Sequence, residues 1–412
     1  MNVRRSAAVL AAAFGIGAVA APLAQAADPS PSASPSVVLP SGLYGKGDPT
    51  YDGVWRQSLA LLAQHTVGER PAGKATDWLS RQQCGNGGFA AFRADPGKAC
   101  DAKTLVDSNS TAAAVQALAA LGGHEAATAK AAGWLKSVQN KDGGWGYTPG
   151  GPSDANSTAV VIGALAAAGD KPADVRKDGK SPYDALLALA IACDEDGGGA
   201  FAYQPDKKGA LTANADATAA GVLGALGKGL DATAGTQADA KCAAPDTPAQ
   251  AAANGAAYLI RTLAKDGHLT SSLPGAEDQP DYGNTADAVV ALAAQGGTAG
   301  VRKPLAWLEQ NSAAWAKESG PAAYAQLILA AHAAGADPEK FGDQNLVAQL
   351  NATGPAPETG RQATASARQT DEANEQDDDD SPFGTWWYVG VFAVFGVGIG
   401  FLFSNRAKGN KQ

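Results

Sequence analysis

Between residues 50 and 351 the apolar positions fall into two kinds of segment that alternate along the chain. One kind is Ala-rich and apolar nearly all round, over about 52–66, 108–122, 155–169, 214–229, 283–296 and 321–335. Helices apolar on every face are buried on every face. The other kind carries a polar face, over about 71–83, 126–139, 182–193, 249–264, 301–316 and 343–350. Members of the first set tend to end at glycine, as at Gly122, Gly169 and Gly335, where a helix C-cap uses the left-handed conformation. Six inner and six outer helices in strict alternation predict an all-α fold, a closed (α/α)6 toroid, with an open solenoid as the alternative. Closure is favoured because six hairpins complete a ring and neither end carries a polar capping repeat.

The joints between outer and inner helices repeat a phrase. Trp134-Leu135-x3-Gln139-x2-Asp142-Gly143-Gly144-Trp145 precedes Asn156-Ser157-Thr158-Ala159. Trp78-Leu79-x3-Gln83-x2-Asn86-Gly87-Gly88-Phe89 precedes Asn109-Ser110-Thr111-Ala112 in the same order. Weaker copies run from Leu189 through Asp196-Gly197 to Asp216-Ala217-Thr218-Ala219, and from Leu259 through Asp266-Gly267 to Asn284-Thr285-Ala286. A supersecondary unit copied in this way cannot bury its apolar face alone and must stack on its neighbours. Gly87, Gly143 and Gly197 suit tight turns, and the Asn or Asp beside them starts those turns. The layout gathers these loops, and the starts of the inner helices, at one end of the ring.

That end holds the candidate chemistry. Asp107, Asn109, Asp154, Asn156, Asn214, Asp216, Asp281 and Asn284 all stand at inner-helix starts. Each can cap a helix by accepting first-turn N–H groups. Together they can also ring a mouth that holds the polar part of a ligand. The aromatics Trp145, Tyr147, Tyr203, Tyr282 and Tyr324 complete the predicted ligand-binding set. Phe89, Trp145, Phe201 and Tyr203 follow the glycines at nearly one offset, which suits packing between repeats or the wall of a pocket. Asp216 is the one candidate catalytic residue. The run Asp194-Glu195-Asp196 with Asp216 offers paired carboxylates, but it also reads as an ordinary turn.

Net charge is −9, which argues against a nucleic-acid partner. The four cysteines suit two disulfides in an exported domain, Cys84–Cys100 and Cys193–Cys242. The four histidines are scattered, so neither a metal nor a cofactor is predicted.

The ends predict export and anchoring. Residues 1–26 read as a signal peptide, with Arg4 and Arg5, an apolar core and a cleavage site at Ala24-Gln25-Ala26. A Pro/Ser-rich tether follows over 27–50, then the toroid over 51–350 and an acidic stalk over 351–384 that contains Asp377–Asp380. Residues 385–404 are apolar and long enough to cross ~30 Å of hydrocarbon. The tail 405–412 carries Arg406, Lys408 and Lys411, which places it in the cytoplasm and the toroid outside.

The Gln139-x-x-Asp142-Gly143-x-Trp145 phrase resembles the repeat of the terpenoid cyclase and protein prenyltransferase α-α toroid superfamily, over roughly Asp52–Leu350. The resemblance implies the fold more firmly than a reaction. Protonating cyclases of the family carry Asp-x-Asp-Asp-Thr-Ala at an inner-helix start. Here Asp281-Tyr282-Gly283-Asn284-Thr285-Ala286 has Gly283 at the donor position, and Asn214-Ala215-Asp216-Ala217-Thr218-Ala219 keeps the acid without its flanking ones. No zinc set of the prenyltransferases is visible, and Cys84-Gly85-Asn86-Gly87 lacks the later residues of a thioester site. The resemblance therefore implies binding rather than catalysis. The ligand would be an isoprenoid-like or other lipid, or a corrinoid, the second of which fits an exported receptor that serves a membrane importer. An atypical terpene cyclase or prenyltransferase-like enzyme using Asp216 is the alternative, and a protein-interaction scaffold at the cell surface is a third reading.

Overall fold

The computed structural model describes residues 40–236, 242–271, 278–296 and 298–358. The expected signal peptide, transmembrane helix and basic tail, with most of the tether and stalk, lie outside the described residues. Among the described residues no helix is long and apolar enough to cross a membrane.

The chain is mostly helical. Its elements are α1 (Gly53–Thr66), α2 (Gly73–Arg81), β1 (Phe89–Ala90), β2 (Val106–Asp107), α3 (Ser108–Leu121), α4 (Glu125–Ser137), α5 (Ala155–Ala167), α6 (Pro182–Leu187), α7 (Ala215–Ala225) and α8 (Pro248–Leu263). There follow β3 (Leu269–Ser271), β4 (Gln279–Asp281), α9 (Tyr282–Gln295), α10 (Thr298–Asn311), α11 (Ala313–Ser319), α12 (Pro321–Ala334) and α13 (Leu346–Asn351). The Ala-rich helices α1, α3, α5, α7, α9 and α12 pack on one another in that order, and α12 packs on α1 in turn. Their small side chains permit close approach. At Gly224 of α7, an added Cβ would stand 2.8 Å from the Cα of Ala159 in α5. Leu61, Leu118, Ile162, Leu165 and Leu292 are wholly or almost wholly buried among them.

The repeated phrase is a set of hydrogen bonds. Gln83 and Gln139 donate through Nε2 to the carbonyls of Gly87 and Gly143, at 2.9 and 2.7 Å. Asn86 and Asp142 accept the N–H groups of Gly88 and Gly144 at 3.1 and 3.0 Å. The buried threonines Thr111, Thr158, Thr218 and Thr285 accept the backbone N–H of Phe89, Trp145, Phe201 and Leu269, at 2.8, 3.1, 2.9 and 2.9 Å. Each loop is thereby bolted to the start of the inner helix that follows it.

Four details differ from the sequence reading. The helix expected over 301–316 is two helices, α10 and α11. Asn311 donates through Nδ2 to the Trp307 carbonyl at 2.8 Å and so competes for the acceptor of the local helix ladder. The helix expected over 182–193 stops at Leu187, because Ile191 donates to the Ala200 carbonyl at 2.8 Å and Ala202 to that of Leu189 at 2.9 Å. Two antiparallel hairpins interrupt the helices: Phe89 pairs with Asp107, and Leu269 with Asp281. Packing also begins before residue 51. Leu43 and Tyr44 are buried, and the Tyr44 hydroxyl donates to the Pro355 carbonyl at 2.8 Å.

Both expected disulfides are formed, Cys84–Cys100 and Cys193–Cys242.

Candidate functional site

The inner helices present corresponding positions to one another at their starts. Asp107, Asp154, Asn214 and Asp281 are the N-caps of α3, α5, α7 and α9. Their side chains accept the N–H groups of Ser110, Ser157, Ala217 and Asn284 at 2.6, 2.7, 2.8 and 3.0 Å. Two residues beyond each cap stand Asn109, Asn156, Asp216 and Gly283. A carboxylate at either place gains from the unpaired N–H groups of the first turn.

A cavity of about 1180 Å³ opens among these helices, and α1, α3, α5, α7, α9 and α12 all line it. Its polar wall includes Asp107, Asn109, Asp154, Asn156, Asp216 and Asn284. Its apolar wall includes Leu59, Val160, Leu223, Val290 and Leu329, with Trp55, Tyr203 and Trp315. At the far end, Lys228-Gly229-Leu230 lines the cavity beyond the last turn of α7, held by the Leu230 N–H donating to Gln116 Oε1 at 2.8 Å.

Enclosure sets the charge state. Burial pushes the Asp107 and Asp154 carboxyls up to about 6, against the hydrogen bonds that their first turns donate. Asp216 rises to about 7, first through burial and then through the Asp287 carboxylate, while the Asn156 amide opposes the shift. Asp287 also rises to about 7 through burial, opposed by Gln326. Asp281 is raised by burial as well. The Tyr147 hydroxyl is pushed upward by burial and then by the charge of Asp107, and the Tyr203 hydroxyl by burial and then by the charges of Asp154 and Asp216.

Basic side chains reach the cavity only from loops, among the described residues. They are Arg93, Lys98, Lys103 and Lys228. Arg93 is occupied with the carbonyls of Arg81 and Gln83 at 2.9 and 3.0 Å, and also with those of Pro96 and Lys98. Lys98 pairs with Asp95 at 3.5 Å.

Nine of the predicted ligand-binding residues line the cavity: Asp107, Asn109, Tyr147, Asp154, Asn156, Tyr203, Asp216, Asp281 and Asn284. Four stand elsewhere. Trp145 is buried in the core, where its indole N–H donates to the Leu135 carbonyl at 2.8 Å. Tyr324 is also a core residue, and Asn214 spends its side chain on capping. Tyr282 lies behind the wall, stacked between Trp307 at 4.9 Å and Trp315 at 5.4 Å. The predicted paired-acid run Asp194–Asp196 does not line the cavity.

Sequence reasoning missed Asp287, Gln326, Gln116 and Trp315. A signal for the first was present. Asn284, Asp287 and Val290 recur every third residue, so an acid sits on the inward face of an apolar helix. Among the described residues, no group of three or more His, Cys, Asp or Glu side chains is placed to hold a metal ion.

Among solved structures, ent-copalyl diphosphate synthase from Streptomyces platensis is 17% identical, with a TM-score of 0.45, over 69% of this chain and 50% of that one. A sugar epimerase from a ruminal bacterium is 15% identical, with a TM-score of 0.41, over 66% of this chain and 80% of that one. This chain thus spans 50% of the synthase it matches. No curated protein matches. Residues 55–214 match the family model of the prenyltransferase alpha-alpha toroid domain, so the chain is similar to the toroid superfamily that its repeats suggested.

Proposed function

We propose that this protein is an exported, membrane-anchored (α/α)6 toroid, closed through α12 and α1, that binds a small or lipidic ligand at the mouth of its ring. It does so without converting the ligand. The cavity carries this reading: about 1180 Å³ of open space bounded by all six inner helices. That exceeds the ~300–1,000 Å³ of ordinary ligand pockets. Polar groups gather at the helix starts and apolar side chains follow deeper, which suits an amphipathic guest. Isoprenoid-like lipids and corrinoids are the two ligand classes that follow from the superfamily resemblance, and a membrane importer is the partner that a surface receptor would serve. A protein-interaction scaffold would be expected to fill its ring with its own side chains, and the open cavity counts against that reading.

One observation favours a cyclase-like alternative. Asp216 stands at the donor position inside the cavity. Protonating an alkene needs a strong acid, whereas Asp216 is held at about 7. That supports binding over acid catalysis.

The test is mass spectrometry with a visible absorption spectrum on whatever is extracted from the full chain purified out of its native membrane. A bound lipid or corrinoid is the expected result. A protein that comes out empty and takes up neither class in vitro would overturn the receptor reading.

A further inference from the structure

Two carboxylates on inner helices line the ligand cavity with few hydrogen-bond donors spent on them among the described residues. Asp216 and Asp287 come from neighbouring helices, α7 and α9, and both line it. Asp216 receives the Asn156 amide at 2.8 Å. Among the described residues, Asp287 receives only the long contacts of Gln326 Nε2, at 3.3 and 3.4 Å. A carboxylate pair offers about eight lone-pair sites, so most acceptor capacity remains open.

Charge points the same way. No lysine, arginine or histidine on an inner helix lines the cavity, among the described residues. Arg93 is spent on backbone carbonyls and Lys98 on Asp95, Lys103 comes from the exposed loop before β2 and not from an inner helix, and Lys228 stands at the opposite end from the helix starts. An anionic head between Asp216 and Asp287 would meet like charge with no counterion on either helix. A cation there meets two carboxylates and the aromatic side chains of Trp55, Tyr203 and Trp315, whose π faces attract positive charge.

We infer that the space between Asp216 and Asp287 takes a positively charged, hydrogen-bond-donating nitrogen of an otherwise apolar ligand, an organic ammonium head in the simplest case. This rests on the reading of the cavity as a ligand site and narrows what that site accepts.

Three probes with one hydrocarbon cage separate the possibilities: 1-adamantanamine, 1-adamantanol and 1-adamantanecarboxylate. Each is titrated calorimetrically into the full chain in lipid nanodiscs at pH 8, with empty nanodiscs subtracted. The amine is expected to bind at least about tenfold more tightly than the carboxylate, with the alcohol between them. Asp216→Asn and Asp287→Asn are each expected to shrink that preference, and a retained melting transition shows that the variant is folded. Equal affinity for all three probes, or a preference for the carboxylate, would overturn the inference while leaving a ligand cavity in place. Binding of none of the three would remove the cavity reading and the inference with it.

Discussion

Asn156 donates an amide hydrogen to Asp216 at 2.8 Å, and the two residues occupy the same place, two beyond the N-cap, in successive repeats. The contact joins α5 to α7 across the cavity wall. It also accounts for part of the charge state of Asp216, since a donated hydrogen bond favours the carboxylate while enclosure disfavours it. Enclosure wins, and Asp216 retains its proton to about pH 7.

That balance makes stability depend on pH in a definite direction. Unfolded, the Asp216 carboxyl titrates near its ordinary 3.8; folded, it titrates near 7. Between those values the folded state binds more protons, so the contribution of this group falls as pH rises and is lowest above 7. Asp216→Asn keeps the shape and removes the charge. The variant is expected to melt about 2–4 °C above the wild type at pH 8 and level with it near pH 4. Calorimetric scans of both proteins at the two pH values decide this. A variant less stable than the wild type at pH 8 would mean that the charged carboxylate is well paired.

The threonine bolts are open to a more local test. Thr158 is fully buried and its hydroxyl accepts the Trp145 N–H at 3.1 Å. Thr158→Val preserves the outline and leaves that N–H without a partner, for which a loss of about 1–3 kcal/mol is expected. Thr158→Ser keeps the hydroxyl and should recover most of the hydrogen-bond contribution. Urea denaturation monitored through tryptophan fluorescence measures both. If the serine variant is no more stable than the valine variant, the hydroxyl is not the essential part.

The repeats were legible because they are local. The Gln, the Asp-Gly turn, the aromatic residue and the capping Asp or Asn of each unit satisfy one another within a short stretch of chain, so their order in sequence already encodes their contacts. The alternation of apolar and polar-faced helices was legible for the same reason, and Cys84–Cys100 followed from its short loop, whereas Cys193–Cys242 depends on how far the chain beyond α7 reaches. Side chains whose partners lie far along the chain left less trace. Asp287 meets Gln326 and senses Asp281, and its place beside Asp216 depends on how α7 and α9 pack. Trp145 carries the residue type of a pocket wall, yet the tight turn at Gly143 and Gly144 turns it into the core. The break between α10 and α11 falls at Ser312, inside a segment whose apolar pattern runs on, so no periodicity records it.

The turn glycines differ in how firmly they are required. Gly143 has φ 92°, and a Cβ there would stand 2.2 Å from the Ser181 carbonyl oxygen. Gly169 has φ 83°, with nothing within 4 Å of the same added atom. Both alanine variants suffer the left-handed backbone, about 1–2 kcal/mol. Only Gly143→Ala must also displace backbone, so it is expected to lose roughly 3 kcal/mol or more. Equal losses in parallel denaturation curves would show that the α6 segment moves aside at little cost.

The two disulfides should differ in the opposite order to their apparent importance for the mouth. Cys84–Cys100 closes the loop that carries Arg93 and Lys98 to the cavity, across a sequence separation of 16. Cys193–Cys242 spans 49, and neither of its cysteines lines the cavity. A disulfide acts mainly by restricting the unfolded chain, and the restriction grows with loop length to about 3 kcal/mol for the shorter loop and about 4 for the longer. The folded state holds the second region by other means too. Asn254 donates to the Ala243 carbonyl at 2.7 Å and accepts its N–H at 3.2 Å. Those bonds keep residue 243 in place after the sulfur bridge is removed, but they do nothing to the unfolded ensemble. Replacing Cys193 and Cys242 with alanine is therefore expected to cost more than replacing Cys84 and Cys100, while leaving the folded structure nearly unchanged. Denaturant midpoints of the two double variants, read beside their near-ultraviolet circular dichroism, test both halves. A larger loss for the shorter loop would mean that its bridge holds the folded mouth together, beyond restricting the unfolded chain.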